Sequence, residues 1–117
     1  MKRILFDQCV PVPLRDALVA VGIVETAYER GWATLKNGDL VEMASLNFDV
    51  LVTTDKNLRY QQNLTNRKIS IVVLGNSTWR FVRLHLDRVI LAVDLAGAGS
   101  FAEVDIPLPP KKPFTRL

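Results

Sequence analysis

The apolar residues of this chain fall into short blocks that are separated by glycine, proline and polar clusters. Short apolar runs of this kind predict buried strands. We predict five of them, at residues 3–7, 23–27, 48–53, 69–74 and 101–106. Apolar residues at helical spacing predict helices between the strands. These segments are residues 13–21, 37–47, 57–64 and 79–95.

Strands that alternate with helices in this way are typical of α/β domains. The order therefore predicts a central, mostly parallel sheet with helices on both of its faces. In the second helix, Asn37 is a candidate N-cap and Asp39 lies in the first turn, where a negative charge favours the helix dipole.

The long helix predicted at 79–95 has apolar residues on more than one face. Val82, Leu86, Val89 and Val93 form the main apolar stripe, whereas Phe81, Leu84 and Leu91 lie off it. A small domain buries only one face of such a helix. We therefore expect a homodimer or a complex with a partner protein.

The length of 117 residues suits one domain, predicted at 1–106, followed by a proline-rich basic tail at 107–117. No apolar run approaches the roughly 20 residues of a membrane span, so we expect no membrane insertion. The single cysteine, Cys9, excludes an internal disulfide and an all-cysteine zinc site. These features predict a cytoplasmic protein.

The two halves of the chain differ in charge, although the net charge is only +3. Residues 1–60 contain 7 Lys/Arg and 8 Asp/Glu, whereas residues 61–117 contain 8 and 4. An acidic pocket that processes a phosphate-rich ligand held by a basic surface would produce this split. Scattered surface charge explains it equally well.

Three acidic residues stand where predicted elements end or begin. Asp7 follows the first strand, Asp55 follows the third, and Asp39 opens a helix. The carboxyl ends of parallel strands share one crevice, where ligands bind. Carboxylates gathered there repel one another unless a cation joins them, and Mg²⁺ and Mn²⁺ prefer oxygen ligands. Each acid alone is equally well explained as a turn or helix-start residue.

Three segments that contain these acids resemble the small PIN-like proteins. DQCVP at residues 7–11 resembles the family's Asp-[Glu/Gln]-Asn-Leu-Pro after the first strand. NGDLVEMA at 37–44 resembles its Ser-Asp helix opening, and VLVTTDKNL at 50–58 resembles its Val-Leu-Val-Thr-x-Asp-x-Asp-Phe segment. The matches come in the family's order and, with the strand that follows, cover roughly the first 75 residues.

This resemblance implies a three-layer α/β/α sandwich and a Mg²⁺- or Mn²⁺-dependent endoribonuclease. Many members of the family are toxins of bacterial toxin–antitoxin pairs, so RNA and an antitoxin protein are the implied partners. Asp7 and Asp55 match the first and third acids of the catalytic metal site. The second acid is Asp39 or Glu42, which lie on one helical face, and Asp39 is favoured because it matches the acidic position of the helix-opening motif.

The chain departs from the family pattern at two positions. Cys9 stands where asparagine is usual, and Asn57 stands where many relatives have a fourth acid. One neutral amide in place of a carboxylate lowers the negative charge of the site, which favours one metal ion over two. Asn57 is also the feature that supports the alternative function, a non-catalytic PIN-like binding domain with a decayed metal site.

A few further residues are candidates for supporting roles. Thr53 or Thr54 is a candidate to orient a carboxylate or a water, although β-branched residues are also ordinary in strands. Arg59, Tyr60 and Trp32 are candidate RNA contacts, and packing against the domain or a partner is the competing interpretation for Trp32. A phospho-acceptor signalling domain also places acids at strand ends, but it requires paired acids after the first strand and a lysine after a late strand.

Overall fold

The computed structural model describes residues 1–58 and 68–109, with the side chain of Asn37 excepted. The strands in this part of the chain are β1 Lys2–Phe6, β2 Gly22–Thr26, β3 Val50–Thr53, β4 Ser70–Leu74 and β5 Phe101–Val104. The helices are α1 Leu14–Ala17, α2 Asn37–Asn47, α3 Trp79–Val82 and α4 Leu86–Asp94, with a 3₁₀ turn at Arg83–His85 between α3 and α4.

The five strands form one sheet in the order β2-β1-β3-β4-β5. Every neighbouring pair is parallel, and the register sets Ile4 of β1 opposite Val50 of β3. β3 and β4 are buried along their whole length. This burial explains why their sequences are continuous apolar runs, as is usual for parallel strands that are covered on both faces.

Side chains on the two faces of the sheet form two apolar cores. Successive residues of a strand point to opposite faces, so Ile4 and Phe6 enter one core and Leu5 enters the other. Helices α1, α3 and α4 cover the first core through Leu14, Val82, Val89 and Val93. Helix α2 covers the second core through Leu40, Val41 and Ala44. The predicted three-layer α/β/α arrangement is therefore confirmed.

The path of the chain through the sheet reverses at β1. The connection from β1 to β2 runs through α1 on the first face, and the connection from β2 back across β1 to β3 runs through α2 on the opposite face. The carboxyl ends of β1 and β3 therefore border the crevice at which the strand order changes direction. In open α/β sheets this crevice is where ligands bind.

The predicted helix at 79–95 is not continuous. A 3₁₀ turn at Arg83–His85 separates α3 from α4, and the backbone of His85 leaves the helical region with φ −130° and ψ 33°. The His85 ring lies 2.9 Å from the carbonyl oxygen of Pro107, which follows β5. The apolar stripe continues through the turn, because Val82 and Leu86 both reach the first core. Periodicity alone therefore could not reveal the break.

The first predicted helix is also shorter than its apolar pattern indicated. Helix α1 ends at Ala17, and Val19, which the pattern assigned to the helix, is exposed. Gly22, which directly follows the predicted helix, is the first residue of β2. A side chain at Gly22 would place Cβ 2.1 Å from the carbonyl oxygen of Lys2, so only glycine allows the strands to approach here.

Two predicted segments cannot be compared with the structure. The helix predicted at 57–64 falls almost wholly on residues 59–67, and most of the predicted tail falls on residues 110–117; both stretches lie outside the described residues. In the part of the chain that is described, no helix is long and apolar enough to cross a membrane.

Candidate functional site

Asp7 is held at the end of β1 by the neighbouring strand β3. Its backbone N–H donates to the carbonyl oxygen of Val52 at 2.9 Å, so the ladder between the strands continues up to this residue. The carboxylate accepts two hydrogen bonds, one at Oδ1 from the backbone N–H of Gln8 (2.7 Å) and one at Oδ2 from the hydroxyl of Thr53 (2.8 Å). The orientation of Asp7 is therefore fixed.

Thr53 is the residue that connects the two strand-end acids. It is fully buried at the end of β3, and its hydroxyl donates to Asp7 while accepting the backbone N–H of Asp55 at 3.2 Å. A hydroxyl has one hydrogen to donate and two lone pairs that accept, so Thr53 can make the bond to Asp7 and the bond from Asp55 at the same time. Thr53 thus orients the Asp7 carboxylate, and its supporting role in a functional site stays a prediction. Thr54, the other candidate, is half-buried beside it.

Asp55 begins the turn that follows β3. Its Oδ1 accepts the backbone N–H of Asn57 at 2.9 Å, an arrangement in which an aspartate side chain stabilises the turn two residues on. Asn57 therefore contributes its backbone here, and its side chain lies at the exposed surface. Asp7 and Asp55 thus follow the carboxyl ends of β1 and β3, and hydrogen bonds hold the carboxylate of each.

Asp39 and Glu42 are placed differently from this pair. Both are exposed on α2, because the helix turns Leu40, Val41 and Ala44 toward the second core. Over residues 1–58 and 68–109, no group of three or more His, Cys, Asp or Glu side chains is arranged to hold a metal ion. The structure therefore links Asp7 to Asp55 but does not gather Asp7, Asp39 and Asp55 around one ion, as the sequence had led us to expect.

The start of α2 also differs in detail from the prediction. Lys36, with φ −79° and ψ 163°, occupies the N-cap position, and Asn37 is already the first residue of the helix. Lysine has no side-chain oxygen with which to accept the free N–H groups of the first turn. Asp39 lies in that first turn, where its charge is favourable for the helix, so this position has a structural explanation that needs no ion.

The donor chemistry of the Asp7–Asp55 pair nevertheless suits a hard cation. Mg²⁺ is commonly held by one or two protein carboxylates and completes its coordination with water and substrate phosphate oxygens. Asp7 and Asp55 offer carboxylate oxygens beyond the ends of β1 and β3, which fits that requirement.

Of the three predicted RNA-contact residues, the structure describes Trp32 alone. The Trp32 ring packs edge-on against Phe48, with 6.1 Å between ring centroids, and the Arg30 guanidinium lies 4.8 Å from the centre of the Trp32 ring. These contacts with the second core support the packing interpretation of Trp32. Arg59 and Tyr60 lie outside the described residues.

A cavity of about 350 Å³ opens beside Asp7, toward β2. It is bordered by an ion pair between Arg15 and Glu29 that the sequence analysis missed. The hydrogen bond from Arg15 is the main cause that lowers the pKa of the Glu29 carboxyl, and the backbone N–H of Thr26 adds to it. The two partners are 14 residues apart in the sequence, and no spacing rule for a single helix or strand joins them.

Comparison with protein-family models, with curated proteins and with solved structures found no match to this chain. The residues and geometry at the crevice between β1 and β3 are therefore the basis on which a function can be proposed.

Proposed function

We propose that this chain is a Mg²⁺- or Mn²⁺-dependent ribonuclease of the PIN type that uses Asp7 and Asp55 to hold its ion. The observation that carries the proposal is the buried hydroxyl of Thr53, which donates to the Asp7 carboxylate and accepts the backbone N–H of Asp55 at the point where the strand order reverses. Its bond to Asp7 joins the ends of two strands and is not needed for either local turn, and ligand sites are built at this crevice.

The protein groups have separate tasks in this proposal. Asp7 and Asp55 bind the ion through carboxylate oxygens, and Thr53 holds the Asp7 carboxylate in place so that it does not have to be ordered when RNA binds. When bound, the divalent ion supplies Lewis-acid activation of water and neutralises charge on the phosphate oxygens. The roles of Asp39 and Glu42 as further ligands stay predictions.

The proposed setting follows from the same resemblance. The substrate is RNA, the location is the cytoplasm, and an antitoxin-like protein is the proposed regulatory partner, as for the family that the three motifs resemble. The excess of Lys and Arg in residues 61–117 supports a role for that half of the chain in phosphate contacts. A homodimer is proposed on the basis of exposed leucines on and next to α4.

Cleavage assays on four variants test this function. With Mn²⁺, the purified chain should cut single-stranded RNA, and a chelator should abolish the cutting. Asp7→Asn and Asp55→Asn should each remove most of the activity, because each strips a charge from the ion site. Asp39→Asn and Glu42→Gln measure whether either acid of α2 takes part, and Asp39→Asn should have the larger effect of the two.

Asp16→Asn is the matched control, because Asp16 is an exposed acid on α1 that is not one of the proposed ligands. Its activity should equal that of the parent chain. Cleavage that survives in both Asp7→Asn and Asp55→Asn would show that the activity comes from another site or from a contaminating nuclease, and the proposal would fail.

The alternative is a non-catalytic PIN-like binding domain with a decayed site. Two observations favour it: Asn57 replaces the usual fourth acid, and the described residues hold no three-carboxylate group. In that case RNA or a protein partner would bind without being cut under any divalent ion. Binding with no cleavage across a panel of RNAs is therefore the result that would select this alternative.

The phospho-acceptor alternative has the same strand order as flavodoxin-like signalling domains, so topology does not exclude it. Its chemistry is less well matched. Residues 101–109 contain no lysine, and Glu103 and Asp105 stand at and after β5, where their charge would repel a phosphoryl group. Fold alone does not assign function, so we rank this alternative below the other two.

A further inference from the structure

The cavity beside Asp7 has the size and position of a ligand subsite. Its volume is about 350 Å³, within the range of roughly 300–1,000 Å³ that is typical of small-molecule sites. It lies beyond the carboxyl ends of β1 and β2, and its lining includes Asp7, whose carboxylate accepts a hydrogen bond from Thr53. A group that filled this cavity would therefore be next to the proposed ion site.

One wall of the cavity carries polar groups in fixed positions. The Glu29 carboxylate accepts hydrogen bonds from the Arg15 guanidinium and from the backbone N–H of Thr26 (2.9 Å), and the Glu29 N–H donates to the Thr26 hydroxyl (3.0 Å). Both of the bonds to the carboxylate are accepted by Oε1, so Oε2 carries neither of them. Within the described residues, the buried Nε of Arg15 has no hydrogen-bond partner. Because the Nε of Arg15 is buried, the half-exposed Glu29 carboxylate is the group of this pair that a ligand in the cavity can reach.

Tyr28 gives the cavity a flat apolar surface in addition to these polar groups. Its side chain is 77% exposed although it borders the cavity, so its ring is not used by the core of the domain. Val10 and Val12 add apolar surface to the lining. An exposed aromatic ring beside a cavity offers a stacking surface for a planar ligand, which is how proteins commonly hold unpaired bases.

The charges of the lining decide which part of a nucleotide would enter. The lining includes one guanidinium, that of Arg15, and two carboxylates, those of Asp7 and Glu29. A phosphate would be repelled by this excess of negative charge. A neutral base with N–H donors is favoured instead, because a carboxylate accepts such donors well.

We propose that this cavity binds a guanine base, stacked on Tyr28 and read by Glu29. Guanine presents two adjacent N–H donors, which the Glu29 carboxylate would accept. The choice of a nucleotide as ligand rests on the proposed ribonuclease function. The base would be held beside Asp7, and its phosphate would extend toward the crevice between β1 and β3.

Calorimetric titration in the presence of a chelator tests this subsite without the ion. The ligands are the 5′-monophosphates of guanosine, adenosine, cytidine and uridine, with ribose 5-phosphate as the control that lacks a base. The guanosine nucleotide should bind at least tenfold more tightly than ribose 5-phosphate and more tightly than the other three nucleotides. Equal affinity for all five ligands would overturn the proposal.

Variants then locate the binding. Tyr28→Ala should weaken binding of the guanosine nucleotide roughly fivefold or more, the usual loss when a stacking ring is removed, whereas Tyr28→Phe should keep it. Glu29→Gln should remove the preference for guanine. Asp16→Asn should change nothing, and the melting temperature of each variant shows whether it is folded. Binding that Tyr28→Ala leaves intact would place the ligand elsewhere and overturn the assignment.

The subsite and the ribonuclease can fail separately. Asp55 does not border the cavity, so Asp55→Asn should still bind the guanosine nucleotide in the chelator even though it should not cut RNA. A chain that cuts RNA but shows no preference for guanine refutes the subsite alone. A chain that binds the guanosine nucleotide through Tyr28 but never cuts RNA keeps the subsite and refutes the ribonuclease.

Discussion

Thr53 Oγ1 donates a 2.8 Å hydrogen bond to Asp7 Oδ2, so the last residue of β3 holds the carboxylate that follows β1. Thr53→Val keeps the shape of the side chain and removes the hydroxyl. A hydrogen bond to a charged group contributes roughly 1.5–3 kcal/mol, and the N–H of Asp55 would lose its acceptor as well. We expect the free energy of unfolding to fall by about that amount in urea denaturation.

Thr53→Ser is the matched control for this prediction, because serine keeps the hydroxyl and loses one methyl group. It should keep the response of the melting temperature to Mn²⁺, whereas Thr53→Val should reduce that response because the Asp7 carboxylate is no longer fixed. Equal stability and equal metal response in the two variants would show that the bond has no structural role.

Lys2 is predicted to stabilise the end of helix α4 from a distant part of the chain. Its ammonium donates to the carbonyl oxygens of Val93 (2.8 Å) and Ala96 (3.0 Å), and also to that of Asp94. These are carbonyls at and beyond the end of the helix, where a positive charge is favourable. Lys2→Met should lower the free energy of unfolding by about 1–3 kcal/mol.

The control for Lys2 is Lys68→Met, at an exposed lysine before β4. Its unfolding free energy should stay within about 0.5 kcal/mol of the parent chain, as is usual for surface substitutions. Hydrogen exchange should localise the Lys2→Met effect to the last turn of α4. An effect of equal size at Lys68 would mean that net charge, rather than the three carbonyl contacts, is responsible.

The ion pair at the cavity predicts a pH dependence with a definite sign. The hydrogen bond from Arg15 and then the N–H of Thr26 lower the pKa of the Glu29 carboxyl below its ordinary value. A carboxyl whose pKa is lower in the folded state stabilises the fold above its unfolded pKa, and this contribution is lost as the pH falls through the folded pKa. Protonation of Glu29 should therefore loosen the turn at 26–29 in acid.

Arg15→Gln tests that sign, because it removes the largest cause of the shift. The Glu29 carboxyl should then titrate closer to its ordinary pKa in an NMR titration. The difference in stability between the parent chain and Arg15→Gln should be present at neutral pH and disappear below the lowered pKa of Glu29. A difference that grows in acid would have the wrong sign.

The arrangement of Asp7 and Asp55 could be predicted from the sequence because it depends only on strand order and strand ends. Continuous apolar runs mark strands that are buried on both faces, and parallel strands bring their carboxyl ends to one edge. The pairing of β1 with β3 then sets Asp7 level with Thr53, two residues before Asp55. The position of Asp39 depends instead on how α2 turns about its axis, which its core contacts at Leu40 and Val41 decide.

Other features depend on contacts between residues that are distant in the sequence. The 3₁₀ turn before α4 keeps the apolar stripe intact, so a periodic pattern does not register it. The cavity requires Arg15 of α1 and Glu29 after β2 to meet, and neither residue belongs to a motif. Charged surface pairs of this kind have no sequence signal beyond opposite charge.

The exposed leucines at and around α4 predict a dimer. Leu84, Leu91 and Leu95 are exposed, and the exposed fraction of Leu91 is 57%. Apolar side chains that are grouped in this way mark interaction surfaces more often than isolated ones do. Light scattering at high protein concentration should give the mass of a dimer, and Leu91→Lys should give a monomer.

Leu46→Lys is the control for the dimer, because Leu46 is 73% exposed on α2, at the opposite face of the sheet. It should leave the mass unchanged. A parent chain that is monomeric at every concentration contradicts the prediction. If Leu46→Lys is monomeric and Leu91→Lys is a dimer, the interface lies on α2 instead.

Asn57→Asp is the sharpest test of whether the ion site has decayed. Asn57 is exposed, and its backbone N–H donates to the Asp55 carboxylate, so a new carboxylate would join the turn two residues beyond Asp55 without disturbing the core. Added negative charge near a cation raises its affinity, and an ion that binds only the folded state raises the melting temperature. Mn²⁺ should therefore raise the melting temperature of Asn57→Asp at a several-fold lower concentration than is needed for the parent chain.

If the parent chain binds Mn²⁺ but cuts no RNA while Asn57→Asp cuts it, the loss of one acid explains the inactive ion site of the parent chain. If Asn57→Asp changes neither the response to Mn²⁺ nor cleavage, residue 57 lies too far from the ion to be the missing ligand.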